Sequence, residues 1–330
     1  MSMLAPTLQA FFTERLIGQR RASPHTVAAY RDTFRLLLAF AEDRTGRSPS
    51  ALLIEEVDAP LVGSFLDYLE TERGNSVRTR NARLAAIHSL FRFAALRHPD
   101  HAALIERVLA VPPKRFERTI ISFLADAEVD ALLAAPDRTT ARGRRDHALL
   151  LLDLQTGLRV SELVGLRCQD VVLGVGPHVR CMGKGRKERI TPFTKTTAAV
   201  IREWMKERGG QPDDPLFPSS HSGGALSRYA VTVLLAKHVA AAEEQCPSLR
   251  SKSVSPHVLR HTCAMRLLQA GVDISVIALW LGHEAIETAQ IYVHADLALK
   301  ERALARTTPI GAAPGRYRPP DELLAFLEGL

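Results

Sequence analysis

Helical periodicity runs through most of this chain, and the two places where it fails constrain the fold most. The first is Val111-Pro112-Pro113-Lys114-Arg115, where two prolines withhold backbone donors from a helix and a basic pair follows. Residues 111–119 therefore read as a linker, and a length of 330 residues suits two domains better than one. The second is Val179–Phe193, in which Val179, Arg180, Cys181 and Met182 precede a Gly-Lys-Gly turn and Arg189, Ile190, Thr191 and Pro192 follow it. Two short strands about a glycine turn are the chemistry of a β-hairpin. The expected fold is thus mainly α with a small β-sheet in the C-terminal domain. Its parts are a helical domain over 1–110, the linker, a second domain over 120–308, and a tail over 309–330.

In the first domain Ser23-Pro24 opens a helix in which Val27, Tyr30, Phe34, Leu38 and Ala41 recur every three or four residues. Further helices are expected over Leu61–Glu72, Val77–Leu96 and Ala102–Leu109. In the second, helical patterns cover Asp126–Ala134, Arg144–Gln155, Arg159–Leu166, Thr197–Arg208, Ser227–Glu244, Pro256–Ala270 and Ile274–Leu281, and resume at Glu287. Gly271 and Gly282 sit where helix C-terminal glycines belong. The tail passes through Pro309, Gly311 and Pro319-Pro320 to Asp321, a candidate N-cap. Leu323, Leu324, Phe326 and Leu327 then give a short helix too apolar to leave in water.

Charge narrows the partner class. The formal net charge is +7 and the isoelectric point about 9.5, which favours a polyanion. From Arg73 to Arg97 there are six arginines and no acid. Leu84, Ile87, Phe91 and Ala94 keep a helical stripe there, leaving Arg78, Arg92 and Arg97 to face outward. Arg78, Arg80, Arg83 and Arg92 are therefore candidate phosphate contacts, with Lys114 and Arg115 of the linker and Arg186 and Lys187 of the hairpin. The ordinary alternative for such a helix is a solvated face, but those usually mix signs. No run approaches the ~18 apolar residues of a membrane span. Nor does the start of the chain read as a secretory signal. Cys168, Cys181, Cys246 and Cys263 form no C-x-x-C pair, so neither a disulfide framework nor a zinc site is expected, and a reducing cytoplasm fits.

Four segments hold the chemistry. Thr156–Leu163 reads TGLRVSEL, Gly183–Arg189 reads GKGRKER, His257–His261 reads HVLRH, and Leu281–His283 reads LGH, with Tyr292 beyond. His257 and Arg260 are three apart and share a helix face, and Ser255-Pro256 reads as an N-cap with proline at the first helical position. Arg159 and Arg260 offer forked donors suited to phosphate oxygens, and histidines and lysine can move protons. Arg159 also stands three residues before Glu162, the spacing of an ordinary ion pair. A lysine at a hairpin tip is commonly just solubilising, and a lone histidine or tyrosine is commonly structural. The grouping is what argues for a site. His257 and His261 have H-x-x-x-H spacing, but no carboxylate or thiolate completes a metal set, so no metal and no cofactor are expected.

In this order the segments closely resemble the tyrosine recombinase (phage integrase) family, the Xer-type recombinases in particular. The resemblance spans roughly residues 8–300. It implies a two-domain DNA clamp, a helical SAM-like core-binding domain joined to a tyrosine-recombinase catalytic domain. It also implies site-specific recombination, in which Tyr292 attacks phosphorus to give a 3′-phosphotyrosine ester and a free 5′-hydroxyl. Arg159 and Arg260 would bind the scissile phosphate with Glu162 supporting. Lys184 would protonate the leaving 5′-oxygen, with Lys187 its nearest rival. His257 would accept a proton, and His283 would bond the phosphate and orient the tyrosine, while His261 reads as a helix histidine bonded to backbone. The partners implied are double-stranded DNA with inverted-repeat sites and further copies of the chain, a dimer per site and a tetramer in synapsis. An apolar tail of this kind ordinarily folds back on its own domain, whereas the resemblance implies docking on a neighbouring protomer. No membrane is implied, and a cytoplasmic, nucleoid-associated protein is expected. Type IB topoisomerases share the chemistry and reseal as monomers. A DNA-binding accessory protein without catalysis is the other alternative.

Overall fold

The computed structural model describes residues 2–115, 121–183, 188–220, 223–283 and 288–295. Lys184, Arg186, Lys187 and the tail at 309–330 lie outside the described residues. The chain divides into two compact units, Met1–Arg118 and Thr119–Leu330. Among the described residues no helix is long and apolar enough to cross a membrane.

The first unit is helical. Helix α1 (Leu4–Ala10) runs on into a π-helical stretch (Phe11–Gln19), a start that the periodicity did not announce. Then come α2 (Pro24–Thr45), α3 (Ala59–Thr71), α4 (Val77–Ala95) and α5 (Ala102–Leu109). Ser23 caps α2 through its hydroxyl, which accepts from the Thr26 N–H at 3.2 Å, with Pro24 at the first turn. Phe11 is buried among Tyr30, Phe34 and Phe93, with ring centroids 5.7–6.2 Å apart, and gives the unit an aromatic centre.

Helix α4 carries the arginine run. Leu84, Ile87, Phe91 and Ala94 are buried, while Arg78, Arg92 and Arg97 are exposed, as the stripe predicts. Arg97 pairs with Glu14 and lies over the Phe93 ring at 4.5 Å. Arg80 departs from the sequence reading because it is turned inward. Its guanidinium reaches Asn81 at 3.1 Å and the Pro112 carbonyl at 3.4 Å, with Glu70 at 3.6 Å. Arg83 is half-buried, and burial followed by the charge of Arg73 lowers its pKa. Lys114 is exposed but donates to Glu70 at 2.5 Å, and Arg115 is exposed.

The second unit is built on helices α6 (Asp126–Ala134), α7 (Ala141–Thr156), α8 (Val160–Gly165), α9 (Lys195–Arg208), α10 (Arg228–Ala242), α11 (Pro256–Gln269), α12 (Ile274–Leu281) and α13 (Gln290–Ala295). The sheet has three strands, one more than the hairpin predicted. β1 (Val171–Val172) pairs antiparallel with β2 (His178–Met182), which pairs antiparallel with β3 (Glu188–Pro192). A two-residue strand is too short for a pleat pattern to show, so β1 had no signal in the sequence. Helix α11 packs against α7, α12 and α13, which brings three of the four motif segments together. A buried chain of polar groups joins α7 to α10: His238 Nε2 meets Asp146 at 2.9 Å, and Asp146 accepts from Arg145 at 2.7 Å.

Candidate active site

Two glycines make the site possible. Gly157 ends α7 with φ +59°, and a Cβ there would stand 2.7 Å from Leu281 Cδ2 and 3.2 Å from Cys263 Sγ. Gly282 ends α12 with φ +64°, and a Cβ there would overlap the guanidinium of Arg189. The chain thus turns sharply at both points and the two turns approach each other.

Arg159 follows the first turn in extended conformation, as the residue before α8. Its backbone N–H donates to Glu162 Oε2 at 2.8 Å and its Nη1 to Oε1 at 2.9 Å, so the carboxylate caps the helix and holds the guanidinium at once. Nη2 of Arg159 donates to the Gly282 carbonyl at 2.9 Å. Arg260 projects from α11 and is buried. It donates to the Gly157 carbonyl and to the Leu281 carbonyl, both at 2.6 Å. Burial, then Arg159 and Arg189, lowers its pKa to about 10, which still leaves it charged at neutral pH. Arg189 of β3 also reaches in, donating to Glu162 at 2.8 Å and to the Leu281 carbonyl at 2.6 Å.

Tyr292 is 1% exposed. Its hydroxyl lies 3.2 Å from His261 Nδ1, a hydrogen bond whose donor is set by the imidazole tautomer. The ring stacks parallel to His283 at 6.3 Å and edge-on to His261 at 5.6 Å. Burial pushes its pKa up to about 12, against the opposing charge of Arg260, so the hydroxyl is protonated at neutral pH. His283 is lowered to about 4 by burial and then by Arg260, Arg159 and Arg189. Its Nδ1 is buried with no hydrogen-bond partner among the described residues. His257 is exposed at the start of α11 and stacks on His261 at 6.3 Å. Ser255 precedes that helix as expected, yet its side chain makes no capping bond.

Arg159, Glu162, Arg260, His283 and Tyr292 are therefore brought to one place, with His257 at its edge. His261 corrects the sequence reading: its ring nitrogen meets the tyrosine hydroxyl and not the backbone. Two further groups escaped that reading, half-buried Arg189 and buried Asp153. Arg189 falls in the strand pattern after the Gly-Lys-Gly turn, which marks it only as a strand residue. Asp153 is fully buried, its carboxylate oxygens have no partner among the described residues, and burial pushes its pKa up to about 8 against the pull of Arg260. A lone acid inside Ala148-Leu149-Leu150-Leu151-Leu152-Asp153-Leu154 was the available signal.

Comparison with known proteins places this arrangement. Residues 122–298 match the profile of the phage integrase family, and residues 10–98 that of the phage integrase N-terminal SAM-like domain. The y4rC integrase/recombinase homologue of Sinorhizobium fredii is 58% identical over 99% of this chain and 98% of its own length. The tyrosine recombinase XerC of Pelobacter propionicus is 36% identical over 87% of this chain and 90% of its own. In fold, the chain is similar to the XerH site-specific recombinase in a post-cleavage complex with a palindromic difH substrate. That match has a TM-score of 0.69 and 22% identity, covering 87% of this chain and 81% of the other. The chain belongs to the phage integrase family, the tyrosine recombinases, whose members carry out site-specific DNA recombination.

Proposed function

We propose that the protein cuts and rejoins DNA at specific sites through a covalent 3′-phosphotyrosine intermediate on Tyr292. The observation that carries this reading is the gathering of Arg159, Arg260 and His283 around a buried tyrosine. In the proposed step Tyr292 Oη forms a bond to phosphorus and the bond to the 5′-oxygen breaks. The phenolic proton passes to His257, and Lys184, or its rival Lys187, protonates the leaving oxygen. Because the hydroxyl is protonated at rest, its proton leaves as the new bond forms. Arg159 and Arg260 face the growing charge on the non-bridging oxygens, and His283 donates to one of them while its stacked ring orients the tyrosine. A 5′-hydroxyl from a second duplex then attacks the phosphotyrosine and releases Tyr292. Arginines, histidines and a lysine fill every role here, so metal and cofactor have none, and cleavage persists in excess EDTA.

The division of labour follows the sequence. Residues 1–110 hold one part of the site through α4, 111–119 link, 120–308 carry the chemistry, and 309–330 contact a neighbouring protomer. Two protomers occupy each inverted-repeat site and four form the synapse. The test is a nicked suicide duplex that traps the covalent complex. Wild-type protein becomes attached to DNA at Tyr292, whereas Tyr292→Phe binds DNA with near-normal affinity and attaches none. Attachment by the Phe variant overturns the assignment.

A further inference from the structure

Arg189 belongs to none of the roles above, yet its side chain is only 11% exposed and stands at the centre of the site. Like Arg159, it joins α8 to the end of α12 through a single side chain. Nη2 donates to Glu162 Oε2 at 2.8 Å, on α8, and Nη1 donates to the Leu281 carbonyl at 2.6 Å, at the end of α12. Both acceptors are shared. Glu162 also holds the backbone and guanidinium of Arg159, and the Leu281 carbonyl also takes Arg260. The glycine of the Leu281-Gly282-His283 turn gives up its side chain where the Arg189 guanidinium lies, so that turn is fitted to it. Arg189 enters from β3, two residues past the segment that holds Lys184 and Lys187.

A guanidinium placed this way does not need to touch substrate to matter. Planar and forked, it fixes two acceptors at once, which an ammonium on a flexible stem does not. Without it the Glu162 carboxylate loses one of its two cationic partners, and the Leu281 carbonyl loses one of its two donors. The Arg159 guanidinium, one hydrogen bond from Glu162, and the His283 ring, two residues on from Leu281, then lose their fixed places. Errors of about 1 Å in such groups cost about 10²-fold in rate. We propose that Arg189 is a positioning residue of the recombination reaction, setting Arg159 through Glu162 and His283 through the Leu281–Gly282 turn. This rests on the phosphotyrosine reading above.

The test is single-turnover covalent attachment to saturating suicide duplex, with amplitude and rate constant recorded separately. Arg189→Gln and Arg189→Lys are each compared with wild type, and folding is checked by thermal melting and by DNA affinity. The expected result is attachment at full amplitude with a rate constant lowered about 10²-fold for Gln and about tenfold for Lys. Glu162→Gln combined with Arg189→Gln is expected to lose less than the product of the two single losses, because the Glu162–Arg189 link is broken by either change. A purely structural role lowers amplitude and leaves the rate constant of the surviving fraction alone, and that outcome overturns the proposal. Should Arg189→Gln fail to fold, Arg189→Lys and the cycle built on it decide. Either variant attaching within about threefold of the wild-type rate, or fully multiplicative losses in the cycle, also overturns it. If wild-type protein itself attaches no DNA at Tyr292, the phosphotyrosine reading fails and takes this inference with it.

Discussion

The two imidazoles beside Tyr292 are the residues whose protonation state matters most. His261 and His283 are both lowered from 6.5 to about 4, each first by burial, His261 then by His257 and Arg260. Between about pH 4 and 6.5 the unfolded chain therefore binds protons that the folded protein refuses. Stability conferred by the neutral rings is complete above 6.5 and falls as pH drops toward about 4. Urea midpoints measured from pH 7.5 down to 4.5 are expected to fall with acid. Replacing both histidines by glutamine flattens that part of the profile without changing the slope above pH 6.5. An unchanged acid limb in the double variant would refute the burial argument. Lys184 invites a different residue-level test. Lys184→Ala is expected to cleave normal DNA slowly and to recover on DNA with sulfur at the bridging 5′ position, a leaving group that needs no proton. Recovery by Lys187→Ala instead reassigns the general acid.

At the scale of single elements, α4 shows how a helical wheel sorts charges and where it stops. Arg92 is exposed with its stem off the apolar stripe, whereas Arg80, a few turns away, is buried against Glu70 and the Pro112 carbonyl. Arg92→Ala is expected to leave melting nearly unchanged and to flatten the plot of log affinity against log salt by about one unit. Arg80→Ala is expected to act the other way, costing about 2 kcal/mol of stability by stranding buried partners while changing the salt slope little. Thermal melts and salt titrations on one duplex separate the two. The inward turn of Arg80 was not legible in the sequence. Its acceptors come from α3 and from the stretch after α5, so only packing brings them within reach.

Assembly belongs to the whole molecule. The proposed contact with a neighbouring protomer rests on Leu323, Leu324, Phe326 and Leu327, which in the sequence follow a stretch containing prolines and glycine. Burying three such side chains contributes about 1.5–3 kcal/mol each before ordering costs. Deleting residues 312–330 is therefore expected to leave half-site binding intact and to weaken formation of the four-protomer synapse. Gel-shift titrations on half-sites and on paired full sites measure this. Equal assembly with and without the tail would show that it serves no neighbour.

What the sequence alone determined is what local chemistry enforces. Prolines ended the helical run near residue 112, capping by Ser23 and the positive-φ glycines 271 and 282 set helix ends, and apolar periodicity chose the buried face of α4. The resemblance of the motifs to the tyrosine recombinases likewise pointed to Arg159, Glu162, Arg260, His283 and Tyr292, which the fold gathers in one place. Only tertiary structure decided the partners. His261 meets a hydroxyl 31 positions away, Arg189 meets a carbonyl 92 positions away, and Asp153 is left in the core without a hydrogen-bond partner among the described residues. The physical reason is the same each time. A short motif fixes which groups are offered, but a hydrogen bond needs two groups within about 3 Å, and across distant segments only the packed core sets that distance.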